Sequence, residues 1–155
     1  IGHLTDSRLV ARKLISHKRI LVASPNYLQQ HGTPLEPDQL LEHNCIGNPS
    51  LHSYPIWRLS DGQQLAMVRT NGTLVTNDSI AMLEAAKAGI GILGAGEWLV
   101  AQDIHSGSLV QLMPQWHFDS DGGTYLVRAS RHYISARTGA FGEWISQLFQ
   151  AAPWK

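Results

Sequence analysis

Residues 20–34 read Ile20-Leu-Val-Ala-Ser-Pro-Asn-Tyr-Leu-Gln-Gln-His-Gly-Thr-Pro34. An unbroken apolar run, Ile20 to Ala23, passes straight into a fully punctuated short helix. The lack of alternation predicts a strand covered on both faces. Ser24 stands where an N-cap belongs, and Pro25 takes the first helical position, where its missing N–H leaves nothing unsatisfied. Gly32 supplies a left-handed stop, with Pro34 just beyond.

Downstream, Glu36-Pro37-Asp38 opens a second short helix through Leu41, and Cys45-Ile46-Gly47 reads as a short buried strand that ends in the Asn48-Pro49-Ser50 loop. Ile56 to Leu59 and Leu65 to Val68 flank Asp61-Gly62, a tight-hairpin signal in which both central residues take positive φ. Leu74-Val75 forms another strand. Asn77 or Asp78 caps the helix after it, which Ile80, Leu83 and Lys87 carry to Gly89 while Ala81, Ala85, Ala86 and Ala88 form a small face for close packing. Ile90 to Ala95 is a strand, Glu97 to Gln102 a short helix, Leu109 to Met113 a strand stopped by Pro114, and Tyr125 to Ala129 a further strand. The final helix, Ala136 to Gln150, carries Phe141, Trp144, Ile145, Leu148 and Phe149 as one apolar stripe. Strands alternating with helices predict an α/β sandwich with mainly parallel strands.

The opening stretch continues into His31-Gly-Thr-Pro34, Leu40, His43 and Cys45-Ile46. Asn71-Gly-Thr-Leu, Asn77-Asp78, Ala85-Ala-Lys-Ala-Gly-Ile-Gly-Ile, Trp98-Leu-Val, Ser106-Gly-Ser-Leu-Val-Gln-Leu-Met-Pro-Gln-Trp116 and Tyr133 to Leu148 follow in order. Together, over essentially the whole chain, they resemble the effector-binding domain of LysR-type transcriptional regulators. The resemblance implies a three-layer αβα fold of the type II periplasmic-binding-protein kind, with two lobes joined by a strand hinge. Residues 1–17 would be the end of lobe I and a hinge strand, with Leu9 to Leu14 as that strand and Ser16-His17-Lys18 as a polar step. Residues 18–113 would form lobe II, and 114–155 would return to lobe I with the C-terminal helix. The start at Ile1-Gly2, followed by Leu4, Asp6 and Ser7, resembles the end of a strand inside the family's domain. It implies a fragment, with a winged helix-turn-helix and the first part of lobe I preceding it.

At 155 residues and 43% apolar content, one compact domain or two small lobes can be buried. Lys+Arg and Asp+Glu balance at 12 each, so no strong field recruits nucleic acid or an anionic membrane. DNA would be met only through the N-terminal part. Cys45 is the single cysteine and suits a reducing cytoplasm. No apolar run reaches the roughly 18 residues of a membrane span.

Gly89-Ile-Gly-Ile-Leu-Gly94 matches G-x-G-x-x-G, but it follows a helix and enters a strand, the reverse of a dinucleotide fingerprint. Gly89 is read as a helix stop and no cofactor is expected. The 8 histidines lack the short repeated spacings of a zinc site. No Gly-x-Ser-x-Gly elbow occurs and Cys45 lies inside a strand, so neither a metal nor a catalytic residue is assigned, and the chain is not read as an enzyme. Asn71-Gly-Thr and Asn77-Asp-Ser read as turn and cap chemistry, and Trp57, Trp98 and Trp116 as core or lobe-interface packing.

In α/β sheets ligands bind beyond the carboxyl ends of strands. That rule selects Asn48, Pro49 and Ser50 after one strand, Asn77, Asp78 and Ser79 after the next, and Gly94 and Ala95 after a third. The resemblance adds His3, Leu4 and Thr5 from lobe I. A helix N-terminus at Ser79 would favour an anionic group, a small carboxylate by default, opposed by Asp78 unless its carboxylate is occupied as the cap. The functional expectation is a cytoplasmic effector-sensing module that forms homodimers or tetramers. A periplasmic-type solute-binding protein for transport is the alternative.

Overall fold

Ile20, Leu21, Val22 and Ala23 are all buried and form most of β2 (Arg19–Ala23), the strand on which the larger part of the molecule is assembled. The structure, a computed structural model, describes residues 10–51, 54–119, 122–128 and 135–151. It divides into two compact units, Lys18–Ser120 and a second made of the two chain ends, Ile1–His17 with Asp121–Lys155.

In the larger unit a four-stranded sheet has the order β3 (Cys45–Ile46), β6 (Ile92–Gly96), β2, β7 (Val110–Leu112). Cys45 pairs with Ile92 and Ile46 with Leu93 in parallel, whereas β2 runs antiparallel to both of its neighbours. The expected mainly parallel sheet is therefore mixed. Strand-helix alternation correctly marks β3, β6 and β7, which share one direction through crossovers containing α2 (Ser79–Lys87) and α3 (Glu97–Ser106). β2 inserts between β6 and β7 from the opposite direction, which alternation alone does not encode.

The two faces of this sheet hold separate cores. Ile20, Val22, Ile46, Leu93 and Ala95 pack with Met82, Leu83, Ala86 and Val100 of α2 and α3. Leu21, Ala23, Cys45, Ile92 and Leu112 meet Tyr27 of α1 (Pro25–His31), Leu40 of a 3₁₀ helix at Pro37–Glu42, and a second sheet. That sheet has the order β5 (Leu65–Arg69), β4 (Ile56–Ser60), β8 (His117–Phe118) and contributes Trp57, Leu59, Val68 and Phe118.

Local punctuation follows the sequence with informative exceptions. Ser24 Oγ accepts the Tyr27 N–H at 3.3 Å and Pro25 opens α1. Gly32 stops the helix at φ 84 and ψ 168, beyond the left-handed helical well and in a region reserved for glycine. The β4–β5 connection is not a two-residue turn: Ser60 pairs with Leu65, and of Asp61 and Gly62 only Gly62 has positive φ. The Asp61 carboxylate instead accepts the Gln63 and Gln64 N–H groups at 2.8 and 2.7 Å, which widens the loop. Leu74-Val75 makes a single parallel bridge, Gly47 to Val75, rather than a strand. On α2 the inward residues are Met82, Leu83 and Ala86, and Ile80 is 60% exposed.

In the smaller unit, β1 (Val10–His17) pairs antiparallel with β9 (Gly122–Arg128) and packs with α4 (Ala136–Ala151). The polar Ser16-His17 step remains strand because both residues pair with Gly123 and Gly122, and the His17 ring meets the Thr124 hydroxyl at 2.8 Å. The stripe expected on α4 does not face inward as a whole: Gly142 and Ser146 are buried, whereas Phe141 and Trp144 are 53% and 56% exposed. Close approach explains the choice, since a Cβ on Gly142 would already touch Leu126. Tyr133 lies outside the described residues, as does Ala129 at the end of its expected strand.

Candidate functional site

Three parallel segments end side by side in the larger unit. Gly47 extends β3, donating its N–H to the Leu74 carbonyl at 2.9 Å and accepting the Thr76 N–H at 3.0 Å, while β3 lies along β6 on its other side. This register gathers Asn48-Pro49-Ser50, Asn77-Asp78-Ser79 and Gly94-Ala95 at one end of the sheet. His3, Leu4 and Thr5 lie outside the described residues.

Several of these groups already have local partners. Asn48 Oδ1 accepts the Ser50 N–H at 3.0 Å, and Pro49 and Ser50 are exposed. Asp78 Oδ1 accepts the Ile80 and Ala81 N–H groups at 2.9 and 3.1 Å, so the start of α2 carries its own carboxylate. An anion would meet that charge there, which removes the main attraction of this helix N-terminus. Asn77 and Ser79 are exposed beside the cap. Ala95 is buried in the core shared with α2 and α3, which withdraws its side chain from solvent. Gly94 lies beneath Phe118, whose ring would collide with a Cβ at that position.

The same sheet end holds a group that sequence reasoning passed over. Arg19, half-buried at the start of β2, donates from Nη2 to the Gly94 carbonyl at 3.0 Å, and its guanidinium carbon lies 4.1 Å from the centre of the Phe118 ring. Burial pushes this guanidinium down to about 10. Phe118 in turn packs edge-on against Trp57, with ring centres 5.3 Å apart. Only the position of Arg19, at the head of an apolar run, hinted at such a setting.

Cys45 is buried, and burial pushes its thiol up to about 12, the opposite of an activated nucleophile. Among the described residues no group of three or more His, Cys, Asp and Glu side chains could hold a metal ion, and no helix is long and apolar enough to cross a membrane. A separate cavity of about 490 Å³ lies within the smaller unit, lined by Arg12, Leu126, Phe141 and Glu143 among others.

A family model described as the LysR substrate binding domain matches residues 1–150. The chain belongs to the LysR substrate-binding domain family. It is 32% identical over 155 residues to the HTH-type transcriptional regulator PtxR of Pseudomonas aeruginosa, covering 100% of this chain and 49% of that protein. The HTH-type transcriptional activator TtdR of Escherichia coli is 35% identical over 108 residues, 69% of this chain and 35% of that protein. Among solved structures, the CrgA regulatory domain, a LysR-type transcriptional regulator from Neisseria meningitidis, aligns with a TM-score of 0.79 at 27% identity, covering 96% of this chain and 72% of that one. The chain thus spans about half the length of PtxR. This LysR domain has the mixed α/β fold its sequence resembles, and its relatives are regulators rather than enzymes.

Proposed function

We propose that this LysR domain is the small-molecule-sensing and oligomerising part of a cytoplasmic transcriptional regulator. The observation that carries the reading is the match to the LysR substrate-binding domain over residues 1–150, together with identity to a transcriptional regulator along the whole chain. In this reading the architecture is the two-lobed, three-layer periplasmic-binding type. Residues 18–113 form lobe II, and 1–17 with 114–155 belong to lobe I. A small anionic effector bound near Asn48-Pro49-Ser50, Asn77-Asp78-Ser79 and Gly94-Ala95, with His3, Leu4 and Thr5 from lobe I, shifts the population of conformations. The shift is coupled to DNA through a helix-turn-helix carried elsewhere in the longer protein, and homodimers or tetramers transmit it. Transport of a solute draws no support from these relatives, which are regulators.

A gel-shift titration of the intact gene product on its own upstream DNA, with and without a library of small metabolites, tests this. At least one compound is expected to change the DNA affinity or the footprint. Absence of any DNA binding would overturn the regulator reading.

A further inference from the structure

Among the described residues, Arg19 is in no ion pair. Arg12 pairs with Glu143 at 2.8 Å and Arg58 with Asp119 at 3.0 Å, but no carboxylate among the described residues lies within ion-pair distance of Arg19. Of the five N–H donors of its guanidinium, one is given to the Gly94 carbonyl, and one flat face is taken by Phe118. A half-buried cation held by a neutral carbonyl and an aromatic ring keeps most of its forked donor edge unspent. Partial desolvation without a paired anion is unfavourable, and a bound carboxylate relieves it.

The surroundings suit an acid with an apolar body. Arg19 is directly opposite Gly96 in the β2–β6 ladder, and Leu21 is opposite Gly94, so Arg19, Gly94 and Gly96 share one sheet face. Neither glycine adds a side chain to that face, and the Phe118 ring covers it at Gly94. A Cβ on Gly96 would strike the Trp98 indole at Nε1, so this ring, 52% exposed, stands beside the strand position opposite Arg19.

We propose that Arg19 is the carboxylate-recognising residue of the effector site, and that the effector is a small organic acid whose apolar body lies against Trp98. The inference rests on the effector-sensing reading and moves the anion subsite from the capped start of α2 to the start of β2.

The test titrates the intact gene product with benzoate, phenylacetate and isovalerate, with the neutral amide of each, and with inorganic phosphate. The readouts are calorimetry and tryptophan emission. At least one acid should bind about tenfold or more tightly than its amide, and phosphate should not compete. Arg19→Gln should weaken that acid about tenfold and leave the amide unchanged, and Arg19→Lys, which keeps the charge but loses the fork, should also weaken it. If circular dichroism shows Arg19→Gln unfolded, Arg19→Lys carries the comparison. Acid affinity unchanged in the folded variants, amides binding as well as acids, or no acid binding at all overturns the inference. Binding of amides alone leaves the effector reading standing, since the gel shift decides that reading separately.

Discussion

Tyr27 and His43 illustrate how one residue's protonation can govern the larger core. The Tyr27 hydroxyl accepts the Asn44 N–H at 3.0 Å and lies 3.1 Å from His43 Nδ1, so the two side chains share a hydrogen bond inside the core. Burial is the main cause holding His43 below its usual 6.5; His31 lowers it further and Glu42 partly opposes. The unfolded chain therefore takes up the proton first as pH falls. Stability is complete above about 6.5 and is lost as pH drops from there through the lower folded value. His17, shifted in the same direction by burial, adds to the trend. The urea midpoint should fall between pH 7.5 and 5.5, and it should fall less in His43→Gln. Equal losses in both proteins would remove His43 from the account. Both side chains could be named from sequence, but their contact joins positions sixteen residues apart and was not legible there.

At the scale of elements, the Gly89 to Gly94 string shows which glycines the sequence explains. Gly89 ends α2 as expected: its N–H reaches the Ala86 carbonyl at 3.1 Å and the Ile90 N–H reaches Ala85 at 3.0 Å, the paired bonds of a Schellman stop. Gly91 and Gly94 serve contacts with distant segments instead. A Cβ on Gly91 would strike the Asn44 carbonyl, and one on Gly94 the Phe118 ring. Asn44 also ties three segments, accepting the Thr73 N–H at 2.8 Å and donating to the Ile90 carbonyl at 2.6 Å. Gly91→Ala should cost about 1–3 kcal/mol, the usual penalty for forcing atoms into filled space. Chemical denaturation checks it, and an unchanged midpoint would show that the Asn44 turn yields freely. Helix stops were legible because they are local, and α4 was misjudged because Leu126 approaches it at Gly142, so the face with Gly142 and Ser146 is buried in place of the larger Phe141 and Trp144.

For the whole molecule, the two units differ in how much core each contains. Lys18–Ser120 has apolar clusters on both faces of its sheet, whereas the described residues of the other unit form a two-stranded ribbon and one helix. A two-stranded ribbon is marginal by itself. Limited proteolysis should therefore accumulate a fragment containing Lys18–Ser120, and that fragment alone should melt in one cooperative transition. Digestion that destroyed it first and spared the chain ends would contradict this.

Local chemistry in the chain was enough to assign β2, the cap at Ser24, the stop at Gly89 and membership of the LysR domain family, and to narrow the cap of α2 to Asn77 or Asp78, because caps, apolar runs and ordered motifs act over a few residues. Folding in three dimensions was needed to set the direction of β2 between β6 and β7, the inner face of α4 and the environment of Arg19. Each of these depends on residues distant in sequence. The run at residues 20–34 announces a buried strand, but only pairing with β6 turns the residue before it into a half-buried cation facing the ends of the other strands.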